Sequence, residues 1–240
     1  ENGIDCLFFT SDGPTATMLN GGTLEGCLAV ANFGSKAEKQ LKYLKSVRPD
    51  QPMMCGEFWC GWFDHWGEAH HVRPAAEVVQ EFCTMLDMGA SVNVYMFHGG
   101  TNFGFTNGAN YDGRYQPTIT SYDYNAPLNE AGDRTDTYYR LREAIAAKCG
   151  GVPPLTATET PKAAYGAVAL TEAAPLLEQP EALAKPVFSP VPLWMEELGQ
   201  DFGYILYRNR MQGPMDGWQL DADAVHDRAQ VFVNGKCRGV

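Results

Sequence analysis

The sequence lacks several features that define common protein classes. No apolar run approaches the ~20 residues of a membrane-spanning helix, and no basic segment opens the chain as in a signal peptide. Positive charge is scarce, because 18 Lys and Arg stand against 29 Asp and Glu and give a formal charge of −11. Such a charge repels the phosphates of nucleic acids and of anionic membranes. We therefore expect no nucleic-acid or membrane partner, and a neutral small-molecule substrate.

Paired cysteine spacing is also missing. The seven cysteines include no Cys-x-x-Cys pair; they are Cys6, Cys27, Cys55, Cys60, Cys83, Cys149 and Cys237. Because five of them lie within apolar segments, we predict buried free thiols rather than a disulfide framework, which indicates a reducing, cytoplasmic location. Secretion stays open if a signal peptide lies upstream, and the start at Glu1 rather than Met predicts that the true N-terminus lies upstream.

Residues 1–147 alternate short apolar runs with helical patterns, which is typical of βα units and a parallel sheet. The predicted strands are Cys6–Ser11, Cys27–Asn32, Met53–Trp59 and Ser91–His98.

Three helices are predicted between and after these strands. The first begins at a capping box from Ser35 to Glu38, the second has Pro74 in its first turn and ends at Gly89, and the third spans Thr135–Ala147. Their predicted buried faces consist of Ala37, Leu41 and Leu44; Val78, Phe82, Met85 and Leu86; and Tyr138, Leu141 and Ile145.

The pattern changes after about residue 152. Prolines interrupt residues 152–192, and the remainder predicts strands at Tyr204–Arg208 and Ala229–Val233. The second of these strands is followed by Asn234-Gly235, a strong signal for a β-hairpin. We predict a connecting segment over 148–190 and part of an all-β sandwich domain over 191–240, which the end of the chain interrupts within the hairpin.

The densest chemical signal surrounds Glu57. This acidic residue ends an apolar strand and is followed by three tryptophans within eight residues, Trp59, Trp62 and Trp66. Catalytic groups of parallel barrels lie at the carboxyl ends of strands, and aromatic rings present flat faces to sugars. The alternative is that Glu57 caps a helix and the tryptophans belong to the core.

Alternation along the next strand places Val92, Val94 and Met96 on one face and Asn93, Tyr95 and Phe97 on the other. We expect the second face to point to a barrel axis, where Tyr95 donates a hydrogen bond to a carboxylate near Glu57. A Tyr buried with an internal partner is an equal alternative. The glycine-rich loop at 99–104 lacks the Lys-Ser/Thr ending of a phosphate loop, so nucleotide binding is disfavoured.

Three segments together resemble the β-galactosidases of glycoside hydrolase family 35: EFWCGWFDHWG at 57–67, NVYMFHGGTNFG at 93–104 and TSYDYNAPL at 120–128. Shorter similarities occur at 10–14, 188–200 and 226–233. The resemblance implies the C-terminal half of a (β/α)8 TIM barrel, strands five to eight, followed by the start of an all-β sandwich. It also implies a retaining exo-β-galactosidase that needs no cofactor or metal and acts on β-galactoside oligosaccharides or glycoconjugates.

The same resemblance implies a role for each site residue. Glu57, at the end of the seventh barrel strand, is the nucleophile, and Trp62, Tyr95 and Tyr124 bind the sugar. The family's acid/base Glu follows an Asn at the end of the fourth strand, and it is expected to lie upstream of this chain. Glu1 is interpreted as a solvated helix end instead. The chain is therefore expected to be inactive alone, and its open barrel edges to cause aggregation or pairing with a complementary half.

Two other functions stay open: a family member with another exo-β-glycosidase specificity, such as a β-glucosaminidase, and a non-catalytic sugar-binding module. The sequence does not indicate an oligomeric state. The spacing of the nearby histidines matches no zinc site, so these histidines are predicted to have structural or surface roles. Three accompanying acids are predicted to hold loops or caps rather than to perform chemistry. These residues are His65, His70 and His71, and Asp64, Glu68 and Asp123. For His98, an orienting role towards a pocket residue is left open.

Overall fold

The computed structural model describes residues 3–156, 158–214, 216–222 and 224–240. The interpretation of Glu1 therefore lies outside the described residues. The chain divides into two compact units, Glu1–Pro161 and Lys162–Val240.

The first unit contains a parallel sheet with strand order β1-β2-β3, connected by two helices, and a separate antiparallel hairpin formed by β4 and β5. The described residues form an open sheet and no closed barrel. In chain order the elements are α1 (Ala16–Gly22), β1 (Ala31–Phe33), α2 (Ala37–Val47), β2 (Met54–Trp59), α3 (Ala75–Asp87), β3 (Ser91–Tyr95), β4 (Ala109–Tyr111), β5 (Tyr115–Pro117) and α4 (Asp136–Cys149).

The predicted strand at Cys6–Ser11 is wrong as a continuous strand. Only isolated parallel bridges form there, from Phe9 to Leu28 and from Asp12 to Ala31. This segment pairs on one side only. No apolar layer covers it among the described residues, because the large apolar side chains in and next to it are exposed: Ile4, Leu7, Phe8 and Phe9. A strand without a second neighbour or a covering layer has little to stabilise it.

Two other strands are shorter than predicted. The strand predicted at Cys27–Asn32 is confined to Ala31–Phe33, and the strand predicted to extend to His98 ends at Tyr95. Tyr95 pairs with Trp59, the last residue of β2, so β3 ends where its partner ends.

The three predicted helices are confirmed, and they bury the faces that their 3.6-residue periodicity indicated. Side chains of α2 and α3 form the core against the sheet: Ala37, Leu41, Leu44, Val78, Phe82 and Met85. In α4, Leu141 is buried, whereas Tyr138 and Ile145 are half-buried.

The capping box at the start of α2 is wrong. The N-cap is Lys36, whose backbone is left-handed with φ 59°, and its side chain makes no capping hydrogen bond. Instead, the carboxylate of Glu81 on α3 accepts hydrogen bonds from the backbone N–H groups of Lys36 and Ala37 at 2.9 and 2.8 Å. A charged acceptor thus satisfies two otherwise unpaired donors at the positive end of the helix.

Replacing Glu81 by Gln is expected to lower the free energy of unfolding by about 1–2 kcal/mol, because the amide carries no charge and one of the two N–H groups loses its acceptor. Urea unfolding measures the change. Glu143→Gln on the exposed face of α4 is the matched control, with an expected effect within about 0.5 kcal/mol. Equal effects of the two substitutions would contradict the capping role.

The second unit contains a short helix, α5 (Pro180–Leu183), a 3-10 turn at Glu196–Leu198, and the strands β6 (Val231–Val233) and β7 (Lys236–Gly239). The predicted hairpin is confirmed: β6 and β7 are antiparallel, and Asn234 and Gly235 both have positive φ, as a type I′ turn requires. The strand predicted at Tyr204–Arg208 is wrong. Its residues have no partner strand among the described residues, and an unpaired strand leaves its backbone groups to water.

None of the helices among the described residues combines the length and the apolar character needed to cross a membrane.

Candidate functional site

Glu57 lies near the carboxyl end of β2, the central strand of the sheet. The pairing of β2 with β3 is irregular between Cys55 and Phe58, and both of these residues face the core. This irregularity interrupts the alternation of the strand and leaves Glu57 half-buried rather than in the core.

The indole of Trp59 holds the carboxylate of Glu57. Its Nε1–H donates to Oε2 of Glu57 at 3.0 Å, and among the described residues no donor contacts Oε1. One carboxylate oxygen is therefore held by a neutral donor, while the other has no donor among the described residues. The donor predicted from the sequence was Tyr95, which makes no hydrogen bond to Glu57. Tyr95 lies opposite Trp59 in the sheet, two positions beyond Glu57, and its hydroxyl group interacts with Tyr122.

Aromatic side chains surround this strand end. Tyr124 packs edge-on against Tyr95, with ring centroids 5.6 Å apart, and stacks on Tyr122 at 5.5 Å. Trp62 stacks on Phe63 at 4.9 Å. The exposed fraction is 38% for Trp62 and 2% for Tyr124. Of the three residues predicted to bind a sugar, Trp62 and the half-buried Tyr95 thus present accessible surface, whereas Tyr124 supports them from beneath.

Burial raises the pKa of both Tyr122 and Tyr124 above the ordinary tyrosine range, and the negative charge of Glu57 acts in the same direction. Both phenols are therefore neutral near pH 7. A neutral phenol near a carboxylate acts as a hydrogen-bond donor and not as a base.

Two glycines allow the segment that carries these tyrosines to approach the sheet. A Cβ atom at Gly61 would lie 1.7 Å from the carbonyl oxygen of Tyr124, and one at Gly99 would lie 1.7 Å from that of Tyr122. Both contacts are far inside van der Waals distance and involve backbone atoms, which cannot rotate away. Any side chain at either position would displace the tyrosine segment.

We expect Gly61→Ala to lower the free energy of unfolding by about 2–3 kcal/mol, because the added methyl group overlaps the backbone at Tyr124. Gly108→Ala is the control, since Gly108 has no neighbour within 4 Å of an added Cβ and no positive φ. Urea unfolding and near-ultraviolet circular dichroism measure stability and tyrosine environment. Gly61→Ala with the stability and spectrum of the control would show that this close approach is absent in solution.

Glu130 holds the glycine-rich loop next to the tyrosine segment. Its carboxylate accepts hydrogen bonds from the hydroxyl groups of Ser121, at 2.6 Å, and of Thr101. These two hydrogen bonds lower the pKa of Glu130, and the bond from Ser121 has the larger effect. Asn129-Glu130 is the single Asn-Glu pair in the sequence. Because a general acid needs a raised rather than a lowered pKa, Glu130 does not suit that role. His98 is exposed, and its Nε2 lies 3.3 Å from the carbonyl oxygen of Glu130.

The predicted loop-holding role of Asp64 agrees with its contacts. This residue is 8% exposed, and its carboxylate contacts the Nδ1 atoms of His70 and His71, each at 2.7 Å. His65 contacts Glu68 at 3.0 Å and Asn110 at 2.8 Å. The described residues contain no group of three or more His, Cys, Asp or Glu side chains arranged to hold a metal ion.

A cleft of about 450 Å³ opens beside the end of β2. Its lining includes Trp59, Trp62 and Arg73, but not Glu57, Tyr95 or Tyr124. The Glu57 carboxylate therefore does not line this cleft.

The structure brings together the predicted residues Glu57, Trp62, Tyr95 and Tyr124 around the carboxyl end of β2, through contacts that include Trp59. Sequence reasoning missed the specific contributions of Trp59, Phe63 and Tyr122. All three lie inside the motifs that drew attention to the site. The signal was therefore present, but nothing in the spacing distinguishes the donor to Glu57 or the stacking partners from their neighbours.

The chain matches two protein families. Residues 1–148 match the model of "Glycosyl hydrolases family 35", and residues 192–240 match that of "Beta-galactosidase, first all-beta domain".

Several named proteins are similar to nearly the whole chain. A beta-galactosidase of Xanthomonas manihotis is 45% identical over 233 residues, which are 95% of this chain and 38% of that protein. A beta-galactosidase of Bos taurus is 41% identical, covering 99% of this chain and 37% of that protein. The human "Beta-galactosidase-1-like protein 2" is 40% identical, covering 98% of this chain and 37% of that protein. The chain thus spans less than two fifths of the length of these curated relatives.

Proposed function

Because the chain belongs to glycosyl hydrolases family 35, we propose that it supplies the nucleophile and one side of the sugar pocket of a retaining exo-β-galactosidase. The complete protein, meaning this chain with any sequence that adjoins it, then removes terminal, non-reducing β-D-galactose. The observation that carries this proposal is the carboxylate of Glu57, half-buried at the end of a parallel strand, with one oxygen held by Trp59 at 3.0 Å.

The reaction proceeds in two displacements at the same carbon. In the first, Oε1 of Glu57 attacks the anomeric carbon, the bond from that carbon to the glycosidic oxygen breaks, and a general acid protonates the leaving oxygen. In the second, water attacks the anomeric carbon and loses its proton to the same group, now a base, and Glu57 leaves as a carboxylate. The configuration at the anomeric carbon is retained.

The described residues contribute the following to these steps. Trp59 fixes the orientation of the carboxylate so that its free oxygen points to one position, and the exposed face of Trp62 offers a surface for the C–H face of a sugar ring. The phenol of Tyr95 donates a hydrogen bond to a sugar hydroxyl in this proposal, which is supported by its half-buried position beside Tyr124. The general acid is proposed to lie outside these 240 residues, because Glu130 is engaged by two hydroxyl groups.

We further propose that the bridged segment at Cys6–Ser11 and the three strands β1, β2 and β3 correspond to strands five to eight of a (β/α)8 barrel, and that residues 191–240 begin a β-sandwich. Support comes from the family matches and from the exposed apolar side chains near the unpaired edge, at Ile4, Leu7 and Phe8. The remaining strands would cover these side chains.

Hydrolysis rates of the complete protein on p-nitrophenyl β-D-galactoside, β-D-glucoside and N-acetyl-β-D-glucosaminide test the substrate assignment. A kcat/KM for the galactoside at least about 100-fold above the others is expected, since a site that hydrogen-bonds a sugar hydroxyl strongly rejects analogues that misplace it. A preference for the glucosaminide would replace the galactosidase assignment by a different exo-β-glycosidase. Binding of galactose without hydrolysis of any substrate would indicate a sugar-binding module.

A further inference from the structure

His70 joins two carboxylates that belong to different parts of the site. Its Nδ1 lies 2.7 Å from Oδ2 of Asp64, on the loop that follows β2, and its Nε2 lies 3.2 Å from Oδ2 of Asp123, the residue before Tyr124. Carboxylates accept hydrogen bonds, so both ring nitrogens must donate for both contacts to form. Only the protonated imidazolium has two N–H groups.

The chain around His70 contacts the turn after Asp123 at a second point. The backbone N–H of Arg73 donates to Oδ1 of Asn125 at 2.8 Å, and the guanidinium of Arg73 donates to the carbonyl oxygen of Trp59 at 2.9 Å. Tyr124 and Asn125 both have positive φ, at 62° and 51°. Non-glycine residues adopt this conformation only when their surroundings hold it. The segment from His70 to Arg73 therefore connects the turn that carries Tyr124 to the end of the strand that carries Glu57.

We propose that His70 is a positioning residue: its protonated ring holds the Asp123–Asn125 turn in the geometry that the site requires, and loss of one ring proton at higher pH loosens that turn. The inference rests on the proposed function for its effect on turnover, but the contact itself does not depend on that function. Tyr124 packs on Tyr95 and Tyr122, so a shift of the turn moves the aromatic rings next to Glu57.

The charges around His70 set the direction of the pH dependence. The hydrogen bond with Asp64 raises the pKa of His70 above the ordinary histidine value; burial opposes this effect, and the charges of Asp64 and Asp123 reinforce it. Burial acts to raise the pKa of Asp64, but hydrogen bonds from His70 and His71 lower it overall. Among the described residues, Asp64 and Asp123 are the charged groups that act on His70. The ring of His71 also contacts the Asp64 carboxylate.

A group with a raised pKa contributes its full stabilisation below its unfolded pKa and loses it as the pH rises through its folded pKa. The stabilisation by the His70 bridge is therefore full below the ordinary histidine pKa of about 6.5, and it is lost as the pH rises through the raised pKa of His70 in the folded protein. Asp64 keeps its negative charge down to a pH below its ordinary pKa, so its side of the bridge persists throughout this range.

The first test compares kcat/KM of the complete protein between pH 5.5 and 8.5 for the wild type, His70→Gln and His71→Gln. His71 is the matched control because it contacts Asp64 at the same distance but does not contact Asp123. The ratio of wild type to His70→Gln is expected to be about fivefold at pH 6, the upper range for a partly exposed ion pair, and to approach one at pH 8.5. The same ratio for both variants at every pH, or a ratio of one throughout for His70→Gln, would overturn the proposal.

A second test reads the bridge without any turnover. The pKa of His70 is measured by NMR titration of the histidine ring protons in the complete wild-type protein and in its Asp123→Asn variant. With Asp123 uncharged, the pKa of His70 is expected to fall by about half a unit or more, the size of shift that loss of an exposed ion pair produces. Glu68→Gln is the control, because Glu68 contacts His65 instead. An unchanged pKa of His70 in Asp123→Asn would overturn the bridge whatever the enzyme's substrate, whereas a lowered pKa in a protein without galactosidase activity would uphold the bridge and reject the proposed function.

Discussion

Replacing Glu57 by Gln is expected to lower kcat/KM of the complete protein for an aryl β-galactoside by at least about 1,000-fold, because removing one member of a catalytic group that acts as a unit removes most of the rate. The amide is nearly isosteric with the carboxylate, and it keeps an oxygen that can accept the hydrogen bond from Trp59. Folding should therefore be retained while the attacking oxygen is lost. Steady-state kinetics with a chromogenic galactoside measures the effect.

Two companion variants make this experiment specific. Glu130→Gln changes the single Asn-Glu pair of the chain and is expected to lower kcat/KM by less than about tenfold, because the Glu130 carboxylate accepts hydrogen bonds from Ser121 and Thr101 and so holds a loop. Glu57→Gly leaves room for azide, which is expected to restore cleavage of an activated galactoside and to yield the α-galactosyl azide. Near-normal turnover by Glu57→Gln, or a β-galactosyl azide from Glu57→Gly, would contradict the role of Glu57 as nucleophile.

The second large effect concerns the 240-residue chain alone. Its turnover of the same substrate is expected to be at least about 10,000-fold below that of the complete protein, since the general acid is proposed to lie outside these residues. The exposed apolar side chains at Ile4, Leu7 and Phe8 should also make the chain aggregate or pair with a complementary half. Activity assays and size-exclusion chromatography of both proteins measure these differences.

Ordinary turnover by the purified 240-residue chain would contradict this account, because it would require an acid within the chain. A soluble monomer with a cooperative unfolding transition would contradict the expected aggregation. Addition of a separately expressed complementary half should restore both solubility and turnover if the missing acid lies there.

The sequence predicted the parts of the fold that depend on local order. The apolar periodicity of α2 and α3 fixes which face of each helix packs on the sheet, and the Asn234-Gly235 hairpin depends on two adjacent residues. Strand limits are less predictable, because a strand exists only where a neighbour pairs with it. Cys6–Ser11 has the composition of a strand but a partner on one side alone.

The same distinction applies to the site. The position of Glu57 at a strand end and the aromatic motifs were readable from the sequence. The contact between Asp123 and His70 joins residues 53 positions apart, and the Glu81 cap joins residues 44 and 45 positions apart. Nothing in the local spacing of either pair predicts the contact, since the fold alone brings the partners together. Tyr122 shows the same limit, because its position beside Tyr95 depends on the close approach allowed by Gly99.

The identity of the nucleophile is tested most directly by trapping the covalent intermediate. The complete protein is incubated with 2,4-dinitrophenyl 2-deoxy-2-fluoro-β-D-galactoside. This reagent forms the glycosyl-enzyme rapidly, and that covalent intermediate is hydrolysed only slowly. The protein is then digested, and the labelled peptide is sequenced by mass spectrometry. The account predicts one fluorogalactosyl group per molecule, attached to the Glu57 side chain. A label on any other residue, or full hydrolysis of galactosides by a protein that never forms the adduct, would contradict it.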